Sequence, residues 1–143
     1  MGTMSVDRTG LLFLCVANSA RSQMAEGLAR ALLPPDVQVQ SAGSAPGRLH
    51  PLAVQVLAEI GIDISAQRAK GVETIDATRI GTVVTLCAEE VCPVFPGRVQ
   101  RVHWPLEDPA AVQGSEEQRT AAFRRVRDQI AARLRTFAGG RNP

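Results

Sequence analysis

A cysteine and an arginine separated by five residues carry the most specific chemical signal in the sequence. Cys15 and Arg21 enclose a run of small or polar residues that can curl so that its backbone N–H groups hold a tetrahedral oxyanion. Arg21 would add a bidentate pair of donors, and the thiolate of Cys15 would attack the bound anion as a nucleophile. The predicted oxyanion-binding residues are Val16, Ala17, Asn18, Ser19, Ala20, Arg21 and Ser22.

The flanking residues predict the elements that position this motif. Leu11–Val16 is an unbroken apolar run, which is typical of a strand buried on both faces of a parallel sheet. Apolar residues then recur at helical spacing through Ser22–Leu33, where Pro34 ends the helix. A bare C-x5-R match occurs by chance in many proteins, and a buried thiol at a strand end is the alternative. The strand–loop–helix context favours function.

Two further cysteines fall near the same edge of the predicted sheet. Cys87 ends the strand predicted at Thr82–Leu86, as Cys15 ends the first strand, so we expect the two thiols on neighbouring strands. Cys92 follows after four residues, a distance that a bent loop can close into a disulfide. Core filling alone would not place all three cysteines at one edge.

A metal site is the competing interpretation of these cysteines. With His50 or His103 they would supply four soft ligands for zinc. Against this, the C-x4-C pair has no second pair of soft ligands at short spacing elsewhere in the sequence, and neither histidine has a second histidine at ligand spacing. We expect His103 to have a packing role and His50 to be a loop residue, and we predict no metal site.

An acidic residue follows the fourth predicted strand at the same edge. Asp108 comes after the strand at Val99–Trp104 and precedes a proline. A carboxylic acid there could protonate a departing oxygen, as the usual partner of a nucleophilic cysteine. Asp-Pro pairs also start turns, so the nearby oxyanion motif is what makes Asp108 a candidate general acid.

The order of elements predicts one α/β domain over residues 1–143, with flexible termini at 1–9 and 139–143. The remaining expected elements are a strand at Val37–Ser41, a helix from Pro51 to Gly61, a short helix at Glu73–Ile80 and a long final helix with a capping box at Ser115 and Gln118. Strands that alternate with helices indicate a three-layer domain around a four-stranded parallel sheet.

Composition and charge exclude several other classes of protein. The balance of 16 Lys+Arg against 14 Asp+Glu gives a net charge of +2. This charge is too small for the positive surface that binds nucleic acid or a membrane. No apolar run approaches the roughly 18–20 residues of a membrane span, and Met1–Gly10 lacks the pattern of a secretory signal. We expect a cytoplasmic monomer with no nucleic-acid or membrane partner. Stable disulfides are rare in the reducing cytoplasm.

Taken together, the motifs resemble the thioredoxin-coupled arsenate reductases, which share the low-molecular-weight tyrosine phosphatase fold. The resemblance extends from Leu11 to about Phe137. The matching segments are CVANSARSQMAEG at Cys15–Gly27, SAG at Ser41–Gly43, GIDIS at Gly61–Ser65, VVTLC at Val83–Cys87, HWPLEDPA at His103–Ala110 and RVRDQI at Arg125–Ile130. This resemblance implies the phosphatase-like fold, arsenate as the substrate, and phosphate or sulfate as competing oxyanions.

The resemblance also implies a relay of three thiols with no bound cofactor. Cys15 would attack arsenate while Asp108 protonates the leaving oxygen, and Cys87 would then attack Cys15 and release arsenite. Cys92 would resolve this bond into a Cys87–Cys92 disulfide, which thioredoxin or another thiol reductant reduces. Relatives commonly place six residues between these last two cysteines and this chain places four, which bears on the resolving step and on the identity of the reductant.

One further feature of the family concerns potassium. Asn18, Glu26 and Ser41 match positions that hold the ion in some members, but Lys70 stands where a carboxylate would complete the site. Because the Lys70 ammonium could replace the cation, we predict that the protein is independent of potassium.

Two other functions stay open at this point. A low-molecular-weight tyrosine phosphatase, which works through a phosphocysteine, needs only Cys15, Arg21 and Asp108. Its relatives usually carry proline after R-S and an aromatic residue after Asp-Pro, where this chain has Gln23 and Ala110. A non-enzymatic protein that binds oxyanions or arsenite through the three thiols is the second alternative.

Overall fold

The computed structural model describes residues 10–88 and 93–140, with side chains described as far as Phe137. In chain order, its elements are β1 (Gly10–Cys15), α1 (Arg21–Leu32), β2 (Val39–Gly43), α2 (Pro51–Ala58), β3 (Ile80–Thr85), β4 (Gln100–His103) and α3 (Glu116–Gly140). Short 3-10 turns lie at Val72–Thr74, Ala77–Arg79 and Pro109–Ala111. The predicted flexible termini lie outside the described residues, except for positions 139 and 140, which end α3.

The strands of the described chain form one parallel sheet in the order β2-β1-β3-β4. β1 lies inside the sheet and all of its residues are buried, as its unbroken apolar run predicts. Leu14 pairs with Thr85 of β3, and Cys15 pairs with Gly43 of β2. The carboxyl ends of the strands therefore meet at one edge, and the predicted four-stranded parallel α/β architecture is confirmed.

The two faces of this sheet are covered differently. Successive residues of β1 point to opposite faces. Leu11 and Phe13 pack into a core with residues from all three helices, whereas Leu12 and Leu14 pack in a second core with Phe95. The helices thus cover one face. Within the described residues, the layer on the other face consists of 3-10 turns and irregular segments.

One predicted helix, Glu73–Ile80, is wrong. The segment contains two 3-10 turns, and Ile80 already begins β3. Asp76 provides the physical reason, because its Oδ1 accepts hydrogen bonds from the backbone N–H of Thr78 at 3.0 Å and from the Thr78 hydroxyl at 2.6 Å. Such local bonds compete with the helical hydrogen-bond pattern, and a segment this short cannot overcome them.

The long C-terminal helix begins as predicted. The Ser115 N–H donates to Gln118 Oε1 at 2.8 Å, and the Gln118 N–H donates to Ser115 Oγ at 3.1 Å, which completes the capping box. One face of the helix is fully buried, through Phe123, Val126, Ile130 and Leu134. Neither this helix nor any other in the described ranges is long and apolar enough to cross a membrane.

Charged side chains tie α2 to α3. Arg124 Nη2 donates to Glu59 Oε2 at 2.6 Å, and the nearly buried Arg127 donates to Glu59 Oε1 at 2.9 Å and to the Val56 carbonyl at 2.8 Å. The hydrogen bond from Arg124, with help from Arg127, lowers the pKa of Glu59 from 4.5 to about 2, although burial opposes this shift. The Glu59 carboxylate therefore stays ionised in mild acid and holds α2 on α3.

Candidate active site

The predicted nucleophile lies at the end of β1. Cys15 is a free thiol and is 2% exposed. Its Sγ lies 2.8 Å from Oγ of Ser22, which is buried in the first turn of α1. A hydroxyl that donates to sulfur stabilises the thiolate through a charge-assisted hydrogen bond. The structure places Ser22 within hydrogen-bond distance of Cys15, and either atom could be the donor.

The loop between Cys15 and Arg21 is held from outside by backbone hydrogen bonds. The donors belong to the 45–50 segment, which leads into α2. The bonds run from Ala45 N–H to Val16 O (2.9 Å), from Gly47 N–H to Ala17 O (2.9 Å) and from His50 N–H to Ser19 O (3.0 Å). In a trans peptide the C=O and the following N–H point in opposite directions. The outward carbonyls therefore turn the N–H groups of Ala17, Asn18 and Ala20 away from the 45–50 segment.

Asn18 holds the middle of this loop. Its φ of 50° lies in the left-handed region, which is uncommon for a residue with a side chain, and the residue is fully buried. Its side-chain amide makes four hydrogen bonds, with Ser22 Oγ (2.8 Å), Ser41 Oγ (2.9 Å), Gln23 Nε2 (3.0 Å) and the Lys70 N–H (2.8 Å). These bonds offset the cost of the backbone conformation and fix the curl.

The S-A-G segment that the resemblance singled out has a steric role. Gly43 ends β2 beside the loop, and a Cβ at this position would collide with the carbonyl oxygen of Val16 and come within 2.9 Å of the Asn18 nitrogen. Only glycine allows the backbone of β2 to approach the loop this closely.

Arg21 is fixed by the segments that follow two other strands, β3 and β4. It is 4% exposed, and its Nη1 donates to the Leu106 carbonyl at 3.0 Å and to the Leu86 carbonyl at 3.5 Å. Its Nη2 lies 3.9 Å from Asp108 Oδ2. The guanidinium is thus oriented before any anion binds, and the structure brings Arg21 and Asp108 together as predicted.

The candidate general acid lies at the mouth of the site. Asp108 Oδ1 accepts the Ala110 N–H at 3.0 Å and caps the Pro109–Ala111 turn, while its side chain is 41% exposed and can exchange protons with solvent. A cavity of about 100 Å³ opens here, a size that suits a bare tetrahedral anion. Its lining consists of Cys15, Ala17, Ser19, Ala20, Arg21, Asp108 and Ala110.

The second cysteine is at the same edge. The Leu86 N–H donates to the Leu14 carbonyl at 3.0 Å, so the residues that precede Cys87 and Cys15 are hydrogen-bonded across β3 and β1. Cys87 is 1% exposed and takes part in a disulfide bond. Cys15 ends β1 and Cys87 lies two residues beyond the end of β3, so the expectation that both cysteines lie at the carboxyl edge of neighbouring strands is confirmed. Cys92 lies outside the described residues.

The residues matched to a potassium site in some relatives do not fit a bound cation here. Glu26 is 3% exposed, and its Oε1 accepts the Ser41 hydroxyl at 2.5 Å. Lys70 Nζ lies 3.5 Å from Oε1, and Arg30 Nη1 lies 2.8 Å from Oε2. Two side-chain cations already pair with the carboxylate. The sequence pointed to Lys70 but gave no signal for Arg30.

The structure corrects the expected role of His103, and it adds a capping role to His50, which lies in the loop before α2 as expected. His103 is exposed, and its Nδ1 lies 2.6 Å from the Thr85 hydroxyl, so it does not pack in the core. His50 is more than a loop residue, because its Nδ1 accepts the Leu52 N–H at 3.1 Å and caps α2. Across the described ranges, no three His, Cys, Asp or Glu side chains cluster as metal ligands do.

A glutamine pair supports the loop in a way that the sequence did not indicate. Gln23 Nε2 donates to the Asn18 carbonyl and to Asn18 Oδ1, both at 3.0 Å. Gln67 Nε2 in turn donates to Gln23 Oε1 at 2.8 Å. The sequence marked Gln23 only as a departure from the phosphatase pattern, and its structural role is to hold the loop from behind.

Comparisons with known proteins agree with this geometry. The low-molecular-weight phosphotyrosine protein phosphatase family model matches residues 10–141. An arsenate reductase of Bacillus subtilis strain 168 is 46% identical over 130 residues, which cover 90% of this chain and 94% of that protein. A solved arsenate reductase in the phosphate-binding state superposes with a TM-score of 0.78 at 34% identity, over 91% of this chain and 96% of the other. A thioredoxin-dependent arsenate reductase of Corynebacterium glutamicum gives a TM-score of 0.69 at 29% identity, over 94% of this chain and 62% of that one.

Proposed function

The chain belongs to the low-molecular-weight phosphotyrosine protein phosphatase family, and on that premise we propose that it is an arsenate reductase. Its curated relatives carry that activity in their names at 45–46% identity over 90% of the chain. Arsenate binds in the loop of residues 16–22, where the N–H groups opposite the outward carbonyls and the fixed guanidinium of Arg21 favour a tetrahedral dianion. The similarity to an arsenate reductase in the phosphate-binding state supports binding of a tetrahedral oxyanion.

The first step is nucleophilic attack. The thiolate of Cys15 forms a bond to As(V), an arsenic–oxygen bond breaks, and Asp108 gives its proton to the departing oxygen, which leaves as water. Arg21 stays on the arsenate oxygens and balances the charge that develops there. At the end of this step, arsenic is still pentavalent and is bound to the sulfur of Cys15.

The second step transfers two electrons to arsenic. The thiolate of Cys87 attacks the sulfur of Cys15, the S–As bond breaks, and its electron pair stays on arsenic, which leaves as arsenite. The single observation that carries a reductase over a phosphatase is that Cys87 follows the strand beside Cys15. Hydrolysis of a phosphocysteine has no use for a second thiol at this edge.

The last step restores the nucleophile. Cys92 attacks Cys87 and frees Cys15, and an external dithiol of the thioredoxin type then reduces the Cys87–Cys92 bond by two exchange reactions. In the structure Cys15 is free while Cys87 is disulfide-bonded, which agrees with the release of Cys15 in this step. The relay needs thiols that are reduced between turnovers, which favours the cytoplasm as its location.

Steady-state turnover of arsenate with thioredoxin, thioredoxin reductase and NADPH tests the proposal. NADPH oxidation should depend on both arsenate and thioredoxin, and it should stop when Cys15, Cys87 or Cys92 is replaced by serine. Arsenate-dependent oxidation that persists in Cys87→Ser would rule out the relay. If glutaredoxin supported turnover and thioredoxin did not, the proposed reductant would be wrong but the thiol relay would stand.

Asp108→Asn separates an enzyme from a binding protein. The variant keeps the cap of the Pro109–Ala111 turn, because asparagine can still accept the Ala110 N–H. Loss of the acid should lower kcat by a factor of about 10² or more while arsenate binding is retained. Unchanged arsenite release in this variant would contradict the role given to Asp108.

A further inference from the structure

His50 joins the oxyanion loop to two helices through separate contacts. Its backbone N–H donates to the Ser19 carbonyl at 3.0 Å, and its Nδ1 accepts the Leu52 N–H at 3.1 Å, which caps α2. Its ring packs on Phe123 of α3, with the ring centroids 4.6 Å apart. The same residue therefore orients a carbonyl of the anion site and fixes the first turn of α2.

The cap requires a particular protonation state. A ring nitrogen accepts a hydrogen bond only through its lone pair, so the contact with Leu52 holds His50 in the neutral tautomer with its proton on Nε2. In the imidazolium both nitrogens carry protons, and Nδ1–H would face the Leu52 N–H as a second donor. Protonation therefore breaks the cap.

The surroundings of the ring favour the neutral form. Burial is the main cause that lowers the pKa of His50 below 6.5, and the positive charge of Arg119 on α3 adds to it. Asp108, which lies before the Pro109–Ala111 turn, opposes the shift. Because the folded-state pKa is lowered, the contribution of the cap is complete above about pH 6.5 and is lost as the pH falls through the folded-state value.

We propose that His50 is a positioning residue of the oxyanion site, whose neutral imidazole caps α2 and so holds the backbone N–H that turns the Ser19 carbonyl outward. When the ring is protonated, the first turn of α2 loosens, the hydrogen bond to Ser19 weakens, and the anion loses part of its cradle. This inference rests on the oxyanion-binding part of the proposed function and not on the thiol relay.

Sulfate affinity is the direct test, because sulfate stays a dianion across the pH range in which His50 titrates. The dissociation constant would be measured by calorimetry between about pH 5 and pH 8 for wild type, His50→Asn and His50→Phe. Asparagine is a good N-cap whose acceptor does not titrate. Phenylalanine keeps a ring against Phe123 but has no acceptor. His103→Asn, at the other histidine of the chain, is the matched control.

Wild type and His50→Asn should bind sulfate equally at the alkaline end of the range. At the acid end, wild type should bind sulfate about fivefold more weakly than His50→Asn, as expected for the loss of one helix cap. His50→Phe should be weak at every pH, and His103→Asn should follow wild type. Melting temperatures would be measured alongside to recognise a variant that fails to fold. If His50→Phe does not fold, the comparison of wild type with His50→Asn still tests the inference.

Two outcomes would overturn the inference. If wild type bound sulfate more tightly than His50→Asn in acid, the imidazolium would act only as an added positive charge near the anion. If the ratio of the two dissociation constants did not change with pH, the cap would have no effect on the loop. Absence of sulfate binding in every protein at every pH would instead remove the oxyanion site itself, and the proposed function with it.

Discussion

At the scale of single residues, Asn18 shows how the proposed anion site is built before an anion arrives. A residue with a side chain at a φ of 50° carries a conformational cost, and four hydrogen bonds of the buried Asn18 side chain offset it. With the loop already curled, little ordering is left for the binding step. Preorganised donors of this kind are the main source of stabilisation for a developing charge.

Asn18→Ala should lower both stability and sulfate affinity. Alanine keeps the unfavourable φ and loses all four hydrogen bonds, so we expect the free energy of unfolding to fall by about 3–5 kcal/mol. Asn18→Gly is the matched control, because it relieves the backbone and should recover roughly 1 kcal/mol of that loss. Urea unfolding gives both values. If both variants were as stable as wild type, the hydrogen bonds of Asn18 would not hold the loop.

Glu26 carries a second prediction at this scale. Since Lys70 and Arg30 already pair with its carboxylate, potassium and sodium at equal ionic strength should give the same turnover and the same melting temperature. In Lys70→Met the carboxylate loses one partner, and potassium should then raise the melting temperature more than sodium does. A clear potassium effect on wild type would contradict the pairing.

At the scale of elements, the Glu59 cluster decides how firmly α2 sits on α3. The pKa of Glu59 is lowered in the folded protein, to about 2. A carboxyl group with a lowered pKa stabilises the fold fully above its unfolded value, about 4.5, and loses that contribution as the pH falls toward 2. Acid should therefore loosen the packing of α2 on α3.

Glu59→Gln should remove this part of the acid sensitivity. We expect the melting temperature of wild type to fall between about pH 5 and pH 2, and the variant to show a shallower fall over the same range. Glu73→Gln, at an exposed position outside the cluster, is the control and should follow wild type. If the melting temperatures of wild type and Glu59→Gln fell in parallel with pH, the ion pairs of Glu59 would have no stabilising role.

Elements with a strong local signal could be predicted from the sequence. The apolar run of β1 and the capping box of α3 depend on neighbouring residues, and both are confirmed. The short helix at Glu73–Ile80 was wrong because the side chain of Asp76 competes with the backbone. The backbone hydrogen bonds from the 45–50 segment to the loop could not be predicted. Nearly every residue type has the same backbone N–H and C=O groups, so the sequence does not show which of them will pair.

At the scale of the whole molecule, the parallel sheet collects chemistry from distant parts of the chain. Cys15, Gly43 and Cys87 follow or end three adjacent strands, and Asp108 comes after the fourth. Every strand of a parallel sheet ends at the same edge, so a thiol, a second thiol and an acid meet there. The positions of Cys15 and Asp108 at this edge could be predicted from motifs and from the alternation of strands and helices, whereas Arg30 beside Glu26 required the three-dimensional structure.

The central claim is that electrons reach arsenic from this protein's own thiols, and a single-turnover reaction tests it most directly. Fully reduced protein would be mixed with arsenate without any reductant, and free thiols and arsenite would then be counted. We predict the loss of two of the three thiols, the release of about one arsenite per chain, and no reaction in Cys15→Ser. Survival of all three thiols while a phosphate monoester is hydrolysed would contradict the relay and identify a phosphatase.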